Sequence, residues 1–526
     1  MLIEHTPSVS DTARASSRRW VPALALLALC LPTLLFVWLN RDVPHFGVLQ
    51  DDGMYLIDGK ALAEGSGYRI LSLPAQPYDT RYPPLYPLYL SLAWRAASSY
   101  PATLTAAVML SWLCLPMVLL LGYWWCVGQR FSVPITWLTL GLFALNPYVL
   151  FFVSNLGSEM MFMVFLFAAL LLAEREGWRW ALLAGAIAGA AYLTRTSGIA
   201  LLPAAIVYYG LRKQARGALC FALGMLPAVA GWMVWSRLHA APGHDVVTLC
   251  YTNYLGYYLT NVGWDNIGRV LARNAGALLE AMGSLVFPQM MEGWLAKVIL
   301  WPLALAMIVG CVRLVRQGYA RLYVLFALVS AAILLIWHYQ PNQRFILPLA
   351  PLLLAGFGFA MVDLAAWAQK PNRGLAVRGF AMVAALLLTC GMVLQICMDV
   401  GVLPQLARND RANSQAYQPM YAWIAQNLPA DAGVLWQDDT ALYLATGRYS
   451  VSYVVPPREF EATGGDAGEA LRFRGIDRYA HEQNLGYLLV AKVGLRRNQE
   501  VLKIAAADPG LEWLHEETGG VLYRVR

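Results

Sequence analysis

The chain has 526 residues, is 59% hydrophobic and only 13% charged, and has a mean hydropathy of +0.49. Soluble globular proteins carry roughly 25% charged residues, so this composition excludes a soluble enzyme and points to a polytopic membrane protein. The net charge of +7 raises the question of nucleic acid, but the arginines sit between apolar runs and report topology. No nucleic-acid partner is expected.

A spanning helix needs roughly 20 mostly apolar residues. Such runs occur in order at 20–40, 103–127, 132–153, 158–174, 179–194, 197–211, 218–237, 295–312, 322–338, 345–366 and 379–402, which predicts about eleven transmembrane helices. The first run is too long for a signal peptide and no small-x-small cleavage site follows it. Basic residues at 14, 18 and 19, at 130, at 175 and 179, at 212–216, at 313–321 and at 370–378 fall on one side if residues 1–19 are cytoplasmic. The expected organisation is then a cytoplasmic N-terminus 1–19, a membrane domain 20–402 with an external first loop 41–102, and an external tail 403–526. The tail is charged, mixed and free of cysteine. "YAWIAQNLP" reads as an amphipathic helix, and "GVLWQDD", "LGYLLVAKV" and "GVLYRVR" read as strands. The fold class is therefore a polytopic all-α membrane protein with a C-terminal soluble α/β extracytoplasmic domain, in the cell (plasma or inner) membrane. The eight cysteines lie mostly in apolar runs without paired spacing, and read as small hydrophobes. "GAIAGAA" places Gly185 and Gly189 four apart, a small-residue helix contact.

The first loop opens with "DDGMYLIDGKALAEG", with Asp51, Asp52 and Asp58 in a helical pattern expected to lie along the membrane surface. "GKA" at 59–61 recurs in nucleotide-binding loops only with other spacing and a Ser or Thr, so no nucleotide site is expected. Further polar residues fall at the same external level: Arg81 in "TRYPPLYPLYL", Glu159 in "NLGSEMMF", Arg195 in "LTRTSG", and His338, Gln340, Asn342 and Arg344 in "HYQPNQRFILPLAP". Helix-terminal acids and snorkelling arginines account for each of these singly. Together they place three carboxylates and three arginines on the face where arginine is disfavoured, and interfacial ionisable groups are expensive and often functional. The pattern suits transfer of a sugar carried on a polyprenyl phosphate. Arginines would stabilise the phosphate leaving group, and a carboxylate would deprotonate an acceptor hydroxyl. A second carboxylate would assist directly or through a divalent cation.

These motifs, in this order, resemble the GT-C class of membrane glycosyltransferases: the family 39 protein O-mannosyltransferases and the lipid A aminoarabinose transferases. The matching stretches are Asp51 and Asp52, "GSGYR" with "RYPPLYPLYL", Ser158 with Glu159, "TRTSG", "RFILPLAP" and "WIAQNLP … LYLATGR", which span most of 41–452. The resemblance implies an inverting transfer from a polyprenyl-phosphate sugar to a glycan, lipid or protein acceptor. Asp51 or Asp52 would be the catalytic carboxylate and Glu159 a second acidic residue. Arg81, Arg195 and Arg344 would serve the donor phosphate, with Tyr55, Tyr82, His338 and Gln340 as substrate contacts. A divalent metal is left open, with Asp51, Asp52 and Glu159 as its ligands if one binds. The rival readings are a lipid-linked sugar flippase or transporter, and a non-catalytic envelope assembly protein. A flippase would place charges at the bilayer midplane and on both faces; an assembly protein would tolerate loss of Asp51 and Asp52.

Overall fold

In lipid every backbone polar group must find a partner within its own segment, and long apolar runs meet that requirement as helices. The computed structural model describes residues 9–43, 51–242, 246–253, 256–257, 264–289, 293–337, 339–370, 375–454, 475–493 and 497–526. Among the described residues, each of the predicted apolar runs lies mainly on helix. Six helical stretches among the described residues are long and apolar enough to cross a membrane: Trp20–Asn40, Ala102–Gly128, Ala215–Leu238, Trp294–Arg316, Gln343–Ala368 and the run from Ala381. A seventh is made by Val133–Ala144 and Pro147–Ser154 if that bent pair is one span. The chain is thus a multi-pass membrane protein. Rows of exposed Leu and Trp along the spans, such as Trp20, Leu24, Leu27, Leu31 and Leu35, present the apolar face that lipid requires.

The count of six or seven falls below the eleven expected, for a physical reason. Glu159–Ala173, Trp178–Thr194, Leu201–Leu211 and Arg321–Leu335 have 17 residues or fewer. At 1.5 Å per residue, a 15-residue helix reaches only about 22 Å, against roughly 30 Å of hydrocarbon. The bend of 50° between Val133–Ala144 and Pro147–Ser154 has a local cause. Pro147 holds Asn146 extended (φ −77°, ψ 131°), and the Asn146 side chain accepts the Tyr148 N–H at 3.1 Å to start the next helix. Gly185 and Gly189 face the Ala215–Leu238 helix, where a Cβ on Gly185 would run into the Phe221 carbonyl.

The first-loop helix, Asp51–Glu64, departs from the expected surface helix. It buries Asp52, Met54, Tyr55, Leu56, Ile57, Asp58 and Ala61, which is every side of its first two turns. Leu85–Ala96 packs along it, and the Trp94 indole donates to the Leu56 carbonyl at 2.8 Å.

The tail carries a five-stranded sheet: β1 Gly433–Leu435, β2 Tyr449–Val451, β3 Tyr487–Ala491, β4 Leu511–Glu516 and β5 Gly520–Val525. The order is β2-β1-β3-β5-β4, with β1 parallel to β2 and β3, and β5 antiparallel to β3 and β4. Leu403–Asn427 covers one face, setting Met420, Tyr421 and Ile424 against Trp436, Leu442, Leu489 and Leu522. That helix follows Leu375–Cys397 through a single wide turn at Met398–Val402, so the expected boundary at 403 falls within continuous helix. The sheet also joins the first loop: the Ser450 N–H donates to the Ser72 carbonyl at 2.8 Å.

Candidate active site

Four separate helix ends and one loop turn deliver the charged residues. Asp51 opens the first-loop helix. Glu159 opens Glu159–Ala173, where Ser158 makes no side-chain cap. Arg195 is released where Trp178–Thr194 stops in extended backbone (φ −147°, ψ 131°). The chain folds back there because Gly198 lies against the backbone of Ala191 and Tyr192, leaving no room for a Cβ. Arg344 sits in the short helix Gln343–Ile346, whose start is capped by Asn342 accepting the Arg344 N–H at 3.0 Å. Arg81 lies in the turn before Pro83 and Pro84.

These five side chains form one cluster. Arg344 bridges the two acids, with Nε 2.5 Å from Glu159 Oε1 and Nη2 2.8 Å from Asp51 Oδ2. Arg195 Nη1 also reaches Glu159 Oε1 at 2.5 Å and Ser158 Oγ at 3.0 Å. Arg81 Nη2 lies 3.7 Å from Asp51 Oδ1, and its Nη1 donates to the Cys250 carbonyl at 2.6 Å. The Tyr82 hydroxyl donates to Asp51 Oδ1 at 2.5 Å. Three guanidinium groups thus converge on two carboxylates in a buried place, and Arg81 also acts on Asp79 and Asp439. Buried charges persist only when paired, and each of these guanidiniums has an acid partner within the cluster.

Asp51 and Asp52 differ sharply. Burial pushes Asp51 up, but Arg344, Arg81 and the Tyr82 hydroxyl outweigh it and hold the carboxyl below its usual range. Asp52 is 1% exposed and makes no salt bridge among the described residues. Its Oδ1 accepts the Gly53 N–H at 2.8 Å, and its Oδ2 has no partner among the described residues. Burial first, then the neighbouring Asp51 and Asp438, raise it to about 7. A carboxyl near neutrality with an unused oxygen has the character of a general base.

Tyr55 and Tyr82 belong to the wall of the site. Tyr55 shares a hydrogen bond of 3.2 Å with Ser158, and its ring meets those of Tyr82 and Tyr86 edge to face at 5.0 Å each. Gln340 is exposed and is not part of the charged cluster. It lines a polar cavity of about 270 Å³ with Glu280, Gln289, Asn342 and Gln343. His338 lies outside the described residues. The carboxylates considered for a divalent cation do not suit one. Asp51 and Glu159 are taken up by guanidiniums, and among the described residues no three His, Cys, Asp or Glu side chains gather as a metal site.

Sequence reasoning missed the contribution of the tail. Gly53 lies against the side chain of Thr440, the Tyr251 hydroxyl donates to Asp439 Oδ2 at 2.6 Å, and Asp438 acts on Asp52. "QDD" at 437–439 repeats the twin acids of the first loop, but no periodicity ties one to the other.

A buried cluster of arginines and acids thus sits on a bundle of membrane helices beside a small sheet, and the fold resembles that of a solved transferase of the GT-C fold. No sequence-family model and no curated protein matches the chain. Among solved structures it is similar to the aminoarabinose transferase ArnT from Cupriavidus metallidurans. The crystal structure bound to undecaprenyl phosphate aligns at a TM-score of 0.54 and 15% identity, over 95% of this chain and 97% of that one. The apo structure aligns at 0.53 and 15%, over 97% and 98%.

Proposed function

We propose that the protein transfers a sugar from a polyprenyl-phosphate donor to an acceptor hydroxyl at the outer face of the plasma or inner membrane, with residues 1–19 cytoplasmic and 403–526 external. The observation that supports this is the convergence of Arg81, Arg195 and Arg344 on one buried place around Asp51 and Glu159. A lipid phosphodiester is the kind of anion that grouped guanidiniums hold with forked, charge-assisted hydrogen bonds. The solved ArnT structure that shares this fold holds undecaprenyl phosphate.

In this reading the acceptor oxygen attacks the anomeric carbon. Its proton passes to Asp52, the bond from carbon to phosphate oxygen breaks, and the phosphate leaves with the bonding electrons. The arginines stabilise that departing charge, a role that gains strength in a water-poor site. Asp51 and Glu159 hold the arginines in place, and Tyr82 steadies Asp51. The 438–440 segment of the tail borders Asp52 and lies on the acceptor's side.

The test is extraction of membrane lipids from cells with and without the protein. A polyprenyl-phosphate sugar should accumulate in its absence and in cells carrying Asp52→Asn, and should fall when the wild type is restored. Unchanged lipid profiles in both would overturn the proposal.

A further inference from the structure

Asp58 is not used by the chemistry above, yet it is 0% exposed, as is Asp79. Each carboxyl acts on the other, and Asp58 Oδ1, Asp58 Oδ2 and Asp79 Oδ2 are buried with no hydrogen-bond donor among the described residues. Asp58 follows Asp51 by seven residues, two helical turns, so both lie on one face of the first-loop helix. The turn 79–82 crosses that face. Its far end meets Asp51 through Arg81 and Tyr82, and its near end meets Asp58 through Asp79.

The two acids are not equivalent. Asp79 Oδ1 accepts the backbone N–H groups of Arg81 at 2.6 Å and Tyr82 at 3.0 Å. Its own N–H donates to the Tyr68 carbonyl at 3.1 Å, and its carbonyl accepts the Trp235 indole at 3.1 Å. It is therefore equipped to be a carboxylate. Both oxygens of Asp58 lack any donor among the described residues, and only Asp79 and burial act on it. The other groups facing the pair are Tyr68, and Arg81 on the Asp79 side. Two touching carboxylates cannot both stay ionised away from water. Burial and the charge of Asp79 accordingly raise Asp58 well above the carboxylate range.

We propose that Asp58 is a positioning residue kept as the neutral acid: its proton is donated to Asp79, and this bond fixes the 79–82 turn so that Arg81 and Tyr82 meet Asp51. The bridge itself is independent of the chemistry; only its effect on transfer rests on the function proposed above.

Full-length protein in lipid nanodiscs decides the matter with three readouts. The infrared difference between wild type and Asp58→Asn at neutral pH should show one carboxylic-acid C=O stretch, shifted in D2O and missing from the variant. Undecaprenyl phosphate should bind Asp58→Asn within about threefold of wild type, because the amide still donates to Asp79, and Asp58→Leu at least about tenfold more weakly, because Asp79 loses a donor. Turnover should follow the same order, through the KM for the lipid donor. Absence of the acid band, or weakening of binding by Asn as severe as by Leu, overturns the proposal. So does normal binding in Asp58→Leu. Should the Leu variant not fold, the infrared band and the affinity of Asp58→Asn carry the decision alone. A wild type that binds undecaprenyl phosphate, shows the band and transfers no sugar would instead remove the transferase reading and leave the bridge standing.

Discussion

Neighbouring residues on a helix diverge by about 100°, and at Asp51 and Asp52 that rotation separates a carboxylate wrapped by two guanidiniums from one that makes no salt bridge among the described residues. Asp→Asn at position 52 should lower turnover by at least about a hundredfold, the usual worth of a positioned general base. In wild type the rate should rise with pH through about 7, where Asp52 gives up its proton, and the variant should lose that limb. The same group has a linked effect on stability. Its folded pKa is raised above the ordinary value of 3.8, so the folded state holds the proton more tightly. The stabilisation from that proton is complete below the unfolded value and is lost as pH rises through about 7. Asp52→Asn should therefore gain thermal stability relative to wild type between pH 4 and pH 7, and keep that gain above. Thermal scans in one detergent across this range check it; a constant difference at all pH values would contradict the assignment. The candidate residues were readable in the sequence as types at one membrane level. Which acid pairs and which stays apart was not, because it depends on where Arg344 arrives from 293 residues away.

The contact between the first-loop helix and the helix Asp439–Thr446 is set by a glycine. A Cβ at Gly53 would overlap the Thr440 side chain, including its Cβ at 2.5 Å. Gly53→Ala should cut activity at least tenfold with the chain still inserted, since overpacking of this kind costs about 1–3 kcal/mol. Moving the glycine across the contact, with Thr440→Gly added, should recover most of that loss, and turnover with thermal stability for the single and double variants measures the coupling. If the double variant is as poor as Gly53→Ala, the clash is not the cause. Elements with a strong local pattern were foreseeable: the apolar helices, the tail helix and three of the five strands. β2 and β4 were not. β2 has three residues, and β4 leaves Glu512 and Trp513 exposed, so neither alternates cleanly enough to stand out. The first-loop helix was foreseeable as helix but not as buried, because the tail and Leu85–Ala96 that enclose it are distant from it or pack by shape.

For the molecule as a whole, the cluster and the tail must share one side of the membrane, since Ser450 pairs with Ser72 and Thr440 meets Gly53. On the arginine asymmetry, we propose that this side is external. Reporter fusions at 216 and 320 should read as cytoplasmic and one at 410 as external; a cytoplasmic signal at 410 would reverse the orientation and the placing of the reaction. The order in which the charges occur has its own consequence for biogenesis. Reading from the N-terminus, the cluster runs Asp51, Arg81, Glu159, Arg195, Arg344, and each acid's own arginine follows it before the next acid is made. A nascent chain therefore inserts two neutral pairs in succession, each able to leave water without a bare charge. Arg344 comes last and touches both pairs. Its arrival joins two self-contained pairs into one cluster, so the anion site proposed above would be completed only when the bundle is nearly complete.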